Sequence, residues 1–309
     1  MSLVTNPTSL KTRYIKCIIT LNNSTFTGSG SGNNTIVIND QVANPNMIPF
    51  TITANINETL SQQMDNSADI TIFGLNSDII NQISTIGLVA GSIINYQLNT
   101  IQLYAGYDNP PPLIYTGQII RAYADSNDPN RPLHLQSSFT LANVYKVTAL
   151  NLQGNIDIAS VFQNLASSIG YGFANNGVTG KITNPVLIGS PLVQIRQLAI
   201  QTGIVPLFKN NVLYIAPLGD VHFNQILQLD ATSGMIGYPI IDDIGIQVRM
   251  YFNPFFSVGQ YVNVQSYIKK ANGQWYSYSV NSDISNNYDQ WTSSVRLALN
   301  SLKVGVAPK

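Results

Sequence analysis

The sequence predicts an α+β protein that is mainly β, in which two β-rich segments flank a small α/β block. Short runs of alternating apolar and polar residues, separated by turn-forming residues, fill the chain to about residue 152. Helical spacing of apolar residues then dominates residues 153–219, and strand alternation returns from residue 220. We therefore expect three domains, at residues 1–152, 153–219 and 220–309.

The first segment is built from strand signals. "RYIKCIITL" is dense in β-branched residues, while "FTITANI" and "ADITIFGL" alternate with period two. A short helix is predicted over "NSDIINQIS", with Asn76 or Ser77 as its N-cap. The strands "TIQLYAGY" and "LIYTGQIIRAYAD" are separated by a triple proline, and "LHLQSSFT" and "YKVTALNL" add two more. Many short strands divided by turns indicate a barrel or sandwich.

The middle segment has two helix patterns and a hairpin. Residues 157–170 carry helical apolar spacing, with Asp157 as N-cap and a glycine at the end. Residues 190–203 repeat this design with Ser190 as N-cap, followed by proline at the first helical position. Asn210 and Asn211 tolerate positive φ and are predicted to form a hairpin turn.

The last segment returns to alternating runs, at residues 244–252, 260–268 and 274–284. Asn272 and Gly273 are predicted to form the turn between the second and third of these runs. A final strand is predicted near residues 295–299, although the apolar spacing there also fits a helix.

Charge is sparse and balanced along the chain. Charged residues make up 10% of the 309 residues, against about 25% in soluble globular domains. The 15 basic residues equal the 15 acidic ones, and no basic stripe of the kind that binds nucleic acid is present. Because a near-neutral surface protects poorly against self-association, this composition suggests a protein that works assembled with partners.

The cysteine content and the apolar runs bear on where the protein resides. Cys17 is the single cysteine, in a strand-like run, so no internal disulfide is possible and no oxidising compartment is required. The N-terminal residues lack a signal-peptide core, and the best membrane candidate, "ISTIGLVAGSII", is too short to span a bilayer. We expect synthesis in the cytoplasm and no membrane anchor. The "GSGSG" run at residues 28–32 lacks dinucleotide-loop spacing and fits a hairpin tip or an arm ordered by a partner.

Residues that could carry catalysis form no recognisable motif. The two histidines, His134 and His222, lie outside any metal-binding spacing, so no zinc site is expected. There is no GxSxG nucleophile elbow. Asp242 and Asp243 form the only adjacent acidic pair in the sequence. Neighbours in a strand face opposite sides, and a loop entering a strand is the simpler interpretation. The sequence therefore predicts no enzyme activity, no cofactor and no metal.

Aromatic residues are concentrated in the last segment, which holds both tryptophans of the chain. Aromatic platforms can stack sugars or bases, but base stacking usually comes with basic residues along a groove. In a strand, Trp275 lies on the face opposite Tyr276 and Tyr278. Strands with aromatic residues on both faces are more typical of barrel walls and subunit interfaces.

Two long stretches, taken in order, resemble a known family. The first joins "ADITIFGLNSDIINQIS" to "NTIQLYAGYDNPPPLIYTGQIIRAYAD"; a strand ending in I-x-G-L precedes a short helix, a strand ending in A-G-Y and then I-Y-x-G-Q-I. The second joins "SGMIGYPIIDDIGIQVRMYFNPFFSVGQYVNVQS" to "NGQWYSYSVNSDISNNYDQW". These stretches resemble the N-terminal and C-terminal barrels of phage baseplate hub proteins of contractile-tailed phages. The resemblance covers most of the chain and is weakest over residues 1–45.

The resemblance implies two tail-tube-like β-barrel domains that flank the small α/β domain. It also implies a homotrimeric ring at the end of the tail, with a pseudo-sixfold face for the hexameric tail tube protein. The other face would seat the trimeric central spike protein. Other baseplate proteins would pack outside, and the tape-measure protein or DNA would pass through the lumen. The chain would thus be a structural protein of the virion, located in the tail baseplate and assembled in the host cytoplasm.

Under this resemblance the segment from "NGQW" to "YDQW" closes the C-terminal barrel, and nearby aromatic residues act as interface or structural anchors. The predicted anchors are Trp275, Trp291, Tyr276, Tyr278, Phe255 and Phe256. Two other functions stay open. A carbohydrate-binding module of the tail would use exposed faces of Trp275, Trp291 and the tyrosines, whereas a cell-wall hydrolase would need a pair of catalytic carboxylates.

Overall fold

The structure is a computed structural model that describes residues 3–4, 11–21, 35–61, 66–84, 99–125, 128–139, 148–218, 220–287 and 290–299. It is an α+β protein that is mainly β, as the sequence predicts. The predicted "GSGSG" arm and the "ISTIGLVAGSII" run lie outside the described residues, except for the first two residues of that run.

The N-terminal part is a set of strands with one short helix. The strands are β1 (Leu3–Val4), β2 (Tyr14–Thr20), β3 (Thr35–Ile38), β4 (Ile52–Thr59), β5 (Ser67–Ile72), β6 (Thr100–Gly106), β7 (Leu113–Ala124) and β8 (Leu133–Ser138). Helix α1 (Ser77–Ile83) begins where the Asn76 side chain accepts a hydrogen bond from the Ile79 backbone N–H, which confirms the predicted cap. In β2, β4, β5 and β8 buried residues alternate with more accessible ones, which is the period-two pattern of their sequences.

The middle part contains two longer helices and small sheets. The helices are α2 (Ile158–Ser168) and α3 (Pro191–Thr202), and the strands are β9 (Thr148–Asn151), β10 (Asn155–Asp157), β11 (Gly172–Asn175), β12 (Lys181–Thr183), β13 (Val186–Gly189), β14 (Ile204–Lys209) and β15 (Val212–Pro217). Ser190 caps α3, and Gly203 ends it in the left-handed conformation at φ 67°. Asn210 and Asn211 join β14 to β15 with φ of 49° and 62°, as the predicted hairpin requires.

The regular elements described in the C-terminal part are strands and one turn of 3₁₀ helix. The strands are β16 (Ile226–Leu229), β17 (Met235–Ile241), β18 (Gly245–Tyr251), β19 (Tyr261–Val264), β20 (Gly273–Ser285) and β21 (Trp291–Ala298). The final segment is therefore a strand, and it begins earlier than predicted. The hairpin predicted over residues 269–274 is present as the antiparallel pair β19–β20, but its loop is longer than predicted. It runs over residues 265–272 and contains the 3₁₀ turn Lys269–Ala271, while Gly273 already belongs to β20.

One large sheet contains strands from both ends of the chain. Its order is β3-β2-β6-β7-β8-β5-β4-β20-β19-β16-β1, and β21, β18 and β17 extend in turn from the other edge of β20. The joint is an antiparallel ladder in which β4 pairs with residues 279–285 of β20. Among the described residues no ladder links β17 to the β16–β1 edge or β3 to β4, so no closed hydrogen-bonded barrel of the predicted kind is found there.

The two halves of this sheet repeat one strand order. In each half, five successive strands adopt the spatial order first-second-fifth-fourth-third with antiparallel neighbours throughout. The corresponding strands are β4 and β17, β5 and β18, β6 and β19, β7 and β20, and β8 and β21. The longest strands, β7 and β20, correspond, and each carries a register shift against its fifth-strand partner. We refer to these two groups as the first repeat and the second repeat.

Three apolar cores support this architecture. The first lies mainly under the first repeat, the second under the second repeat, and the third between α2, α3 and their strands. The first core also includes Phe252, Ile284 and Trp291 from the C-terminal part, and the second includes Val205 and Leu207 from β14. Since fully burying one such aliphatic or aromatic side chain stabilises a fold by about 1.5–3 kcal/mol, these crossings tie the three parts together.

Candidate functional site

The second repeat and the first repeat share an outward face that is almost entirely polar. We call it the polar face, formed by the outward side chains of six adjacent strands. These side chains are Gln247 and Arg249 of β18, Ser294 and Arg296 of β21, Asn281 and Asp283 of β20, Asn55 and Asn57 of β4, Ser67 and Asp69 of β5, and Gln136 and Ser138 of β8. Its two arginines and two aspartates balance, so amides and hydroxyls set its chemistry.

Amide side chains link the two repeats across this face. Asn55 of β4 and Asn281 of β20 exchange a reciprocal pair of hydrogen bonds of 3.2 and 3.1 Å, and Asn55 also donates to Asp283. On β18 and β21, Gln247 donates to Ser294 at 2.7 Å. Because these side chains hydrogen-bond to one another, their positions on the polar face are fixed, and few long charged side chains lie among them.

Trp291 lies on the opposite, buried side of the joint between the repeats. Only 1% of its surface is exposed. Its ring meets Tyr107 and Phe252 edge-on, at centroid distances of 5.8 and 5.2 Å, and the Arg13 guanidinium lies 5.5 Å from its centre. The Tyr107 hydroxyl donates to the Phe252 carbonyl at 3.0 Å, and burial raises its pKa to about 12. Trp291 thus packs between side chains of the N-terminal and C-terminal parts of the chain.

Trp275 and Tyr276 are also buried, in the second core. Trp275 is 6% exposed, and its indole N–H donates to the Ala271 carbonyl at 2.8 Å. Residues 275–278 are buried in succession, which means that both faces of β20 are covered at this point. Tyr278 is among them, and burial raises the pKa of its hydroxyl. Neither tryptophan presents an open ring face, so these residues do not form a carbohydrate platform on this chain.

The remaining predicted anchors, Phe255 and Phe256, point to different surroundings. Phe256 is buried in the second core, while Phe255 is 60% exposed. The Lys209 ammonium contacts the loop that holds both residues, and it donates hydrogen bonds to the Phe256 carbonyl at 3.3 Å and to the Ser257 hydroxyl. Phe255 is therefore the one predicted anchor whose ring is available to a partner.

Lys209 also connects all three parts of the chain. Its ammonium lies 3.9 Å from the Glu58 carboxylate on β4, and both side chains are largely buried. They line a cavity of about 20 Å³ with Phe252 and Ser293, which is room for about one water molecule. A cavity of this size is not a substrate site.

His222 forms a second link between the middle part and the second repeat. Its Nε2 lies 2.9 Å from the Val205 carbonyl, which makes this nitrogen the donor, and its Nδ1 lies 3.5 Å from the Tyr276 hydroxyl. Burial lowers the imidazole pKa to about 4. Gly259, at φ 84°, packs so closely that a Cβ there would lie 2.8 Å from His222 Nδ1. The imidazole is thus neutral at pH 7 and links β14 to the second repeat.

The other candidate chemical groups are dispersed. His134 stacks on Tyr123 with ring centroids 5.2 Å apart and contacts the Thr71 hydroxyl. Asp242 forms the β17–β18 turn by accepting hydrogen bonds from the Ile244 and Gly245 backbone, in line with the loop interpretation. Burial raises the pKa of the Cys17 thiol to about 12. Within the described ranges, no cluster of His, Cys, Asp and Glu could hold a metal ion.

A search for membrane-spanning helices gave a negative result. Among the residues described, none of the helices is both long enough and apolar enough to cross a bilayer.

An exposed apolar surface marks the outer edge of the second repeat. We call it the β17 edge, and it comprises Tyr238, Ile240, Ile241 and Ile244, with Tyr267 beside it. The rings of Tyr238 and Tyr267 lie 6.3 Å apart. Sequence reasoning missed this surface because Ile240 and Ile241 look like core residues in a β pattern. Only the strand order reveals that β17 is an edge strand.

Solved structures of phage tail proteins and of a related secretion protein share this fold. A 43 kDa tail protein of prophage MuSo2 from Shewanella oneidensis matches with a TM-score of 0.60 at 9% identity, over 96% of this chain and 100% of that one. A tail protein from Neisseria meningitidis matches with a TM-score of 0.57 at 9% identity, over 83% and 99%.

An Escherichia coli component of the type VI secretion system, described as structurally similar to the T4 tail proteins gp27 and gp5, matches with a TM-score of 0.57. Its identity is 11%, over 84% of this chain and 77% of that one. At such identities these likenesses establish the fold, which is that of phage tail proteins.

The family follows from the sequence itself. The family model for the baseplate hub protein gp41 matches residues 35–296, and the chain belongs to that family. No curated protein matches the chain. The resemblance to baseplate hub proteins inferred from the sequence motifs is thereby confirmed.

Proposed function

We propose that this chain is a structural subunit of a homotrimeric hub ring that joins the hexameric tail tube to the trimeric central spike. The observation that carries the proposal is the repeated strand order. A chain with two equivalent five-strand units presents two similar surfaces, so three copies present six. Such a ring can match a sixfold tube on one side while its true symmetry remains threefold for the spike.

The polar face supports a role as the wall of the central channel. Its balanced arginines and aspartates, set among amides and hydroxyls, provide hydrogen bonding without a basic surface. DNA binds strongly where Lys and Arg neutralise several phosphates, so a wall of this composition lets DNA or the tape-measure protein pass without being held. The repeats share one continuous sheet, and the proposed wall is therefore unbroken within each copy.

The proposed role is structural rather than enzymatic, and its place is the tail baseplate of the virion. Partners are the tail tube protein, the central spike protein and other baseplate proteins around the ring. Exposed apolar side chains such as Phe255 and the β17 edge supply contact surface of the kind that such assemblies bury.

Cross-linking mass spectrometry on purified tails tests this function. We expect cross-links from this chain to the tube protein and to the spike protein, and three copies of the chain per tail. A tail in which the chain contacts neither protein, or a copy number that is not a multiple of three, would contradict the proposal.

A further inference from the structure

The β17 edge is exposed where its counterpart in the first repeat is covered. Ile241 of β17 is 54% exposed, whereas Ile56, the corresponding residue of β4, is 4% exposed. Ile56 is packed in the first core, and the outer edge of β4 is paired with β20 of the other repeat. Among the described residues, β17 pairs with β18 alone. The exposed β17 edge of the second repeat thus corresponds to the β4 edge through which the first repeat pairs with β20.

The correspondence between the repeats can be followed residue by residue. In the first repeat a row of paired residues runs through Asn55, Asp69, Gln136 and Arg121. In the second repeat the matching row runs through Ile240, Gln247, Arg296 and Ser279. Both rows end at the residue directly after the register shift, at Arg121 of β7 and at Ser279 of β20. Two independent irregularities in the same place fix the alignment.

This alignment predicts what should face the β17 edge. Within the chain, Ile56 and Asn57 pair with Ser282 and Asn281 of β20. If the same pairing forms between the equivalent strands β17 and β7, Ile241 faces Ala124, and Asp242 faces Tyr123. Since one copy of the chain cannot bring its own β17 to its own β7 across the intervening strands of the sheet, the facing β7 belongs to another copy.

We propose that the β17 edge of one copy lies along residues 121–124 of β7 in the next copy, and that this contact repeats the β4–β20 joint between subunits. The inference rests on the proposed function, since it names the contact that closes the trimeric ring. It describes a head-to-tail interface, in which two different surfaces of the chain meet and a closed ring results.

Charge and area both favour this partner. The β17–β18 turn carries Asp242 and Asp243, and the facing stretch carries Arg121, whose guanidinium lies 4.3 Å from the centre of the Tyr123 ring. The β17 edge with Tyr267 exposes on the order of 600 Å² of side-chain surface, at the upper limit of what monomers usually leave open. That is most of the roughly 800 Å² per partner in a standard stable interface.

The shape of β17 indicates how the contact is made. A register shift between Ile236 and Ile240 interrupts its ladder with β18, and Pro239 has no N–H to donate. The proposed contact therefore repeats the β4–β20 ladder only on the C-terminal side of this interruption, and the side chains of Tyr238, Ile240 and Ile241 add to it. Such interruptions also protect an edge strand from unspecific strand addition before assembly.

Disulfide trapping in purified tails tests the contact. Cysteines are introduced as Ile241→Cys with Ala124→Cys, and in a control as Ile241→Cys with Ile188→Cys, since Ile188 is exposed on β13. Native Cys17 is replaced by alanine in both, to leave the engineered thiols alone. We expect oxidation to yield covalent trimers with the first pair and none with the control pair.

A charge-reversal series provides a second readout. Arg121→Glu should lower the fraction of the chain that is trimeric by roughly tenfold, because it places a third negative charge against Asp242 and Asp243. Adding Asp243→Arg to that variant should restore trimer. Tails that contain three copies but give no trimer with the first cysteine pair would overturn the inference and leave the proposed function standing. Tails whose chain contacts neither tube nor spike would overturn the proposed function itself.

Discussion

Replacing Trp291 by alanine tests the view that the tryptophans are internal anchors. The indole is 1% exposed and packs edge-on against Tyr107 and Phe252, so truncation leaves a cavity at the joint between the N-terminal and C-terminal strands. Large-to-small changes of this kind in well-packed cores cost about 3–5 kcal/mol, and each aromatic pair accounts for about 0.5–1.5 kcal/mol of that cost. We expect Trp291→Ala to lower the free energy of unfolding by about 4 kcal/mol.

Urea unfolding of the full chain, followed by far-ultraviolet circular dichroism, measures this effect without depending on tryptophan fluorescence. The matched control is Phe255→Ala, which removes an aromatic ring that is 60% exposed. Exposed positions usually change stability by less than about 0.5 kcal/mol. If Trp291→Ala and Phe255→Ala give the same urea midpoint, the buried Trp291 ring stabilises the fold no more than the exposed Phe255 ring does, which contradicts the prediction.

Three further predictions concern the links between the parts of the chain. Burial lowers the His222 pKa from 6.5 to about 4, so between these pH values the unfolded chain binds a proton that the folded chain does not. The free energy of unfolding should therefore fall by about 3 kcal/mol as the pH drops from 6.5 to 4. Urea midpoints that do not change with pH would contradict this. Lys209→Met should destabilise the chain by roughly 1–3 kcal/mol, because Glu58 and the loop acceptors at residues 256–257 lose their donor, and the double variant with Glu58→Gln should recover part of the loss. Asn211→Val should lower the thermal midpoint, while Asn211→Gly should hold or raise it, because φ at this turn is 62°.

Local features of the fold could be predicted because they depend on neighbouring residues. The caps at Asn76, Asp157 and Ser190 and the hairpin turn at Asn210 and Asn211 all follow from side chains that act within a few positions. The mainly β character follows from alternation along each strand. The prediction is wrong at the end of β19, because alternation of apolar and polar residues continues from this short strand into the loop that follows it.

The anchors show where such reasoning stops. Clustered aromatic residues in "NGQWYSYSVNSDISNNYDQW" suggest either a ligand platform or a packed wall, and both options have the same sequence pattern. Burial decides between them, and burial depends on what the rest of the chain places against the ring. Phe255 and Phe256 are adjacent, yet one is exposed and the other is buried in the second core.

The amino-acid sequence is sufficient to predict the fold class, the helix ends and the resemblance to baseplate hub proteins, and it shows no recognisable catalytic motif. Three features are visible only in the folded chain: β4 and β20 join the two halves in one sheet, the halves repeat a strand order, and β17 is left at an edge. Strand order escapes local patterns because strand pairing joins residues more than 200 positions apart, as at Asn57 and Asn281. A strand's sequence specifies which face is apolar, but it does not specify which strand lies beside it.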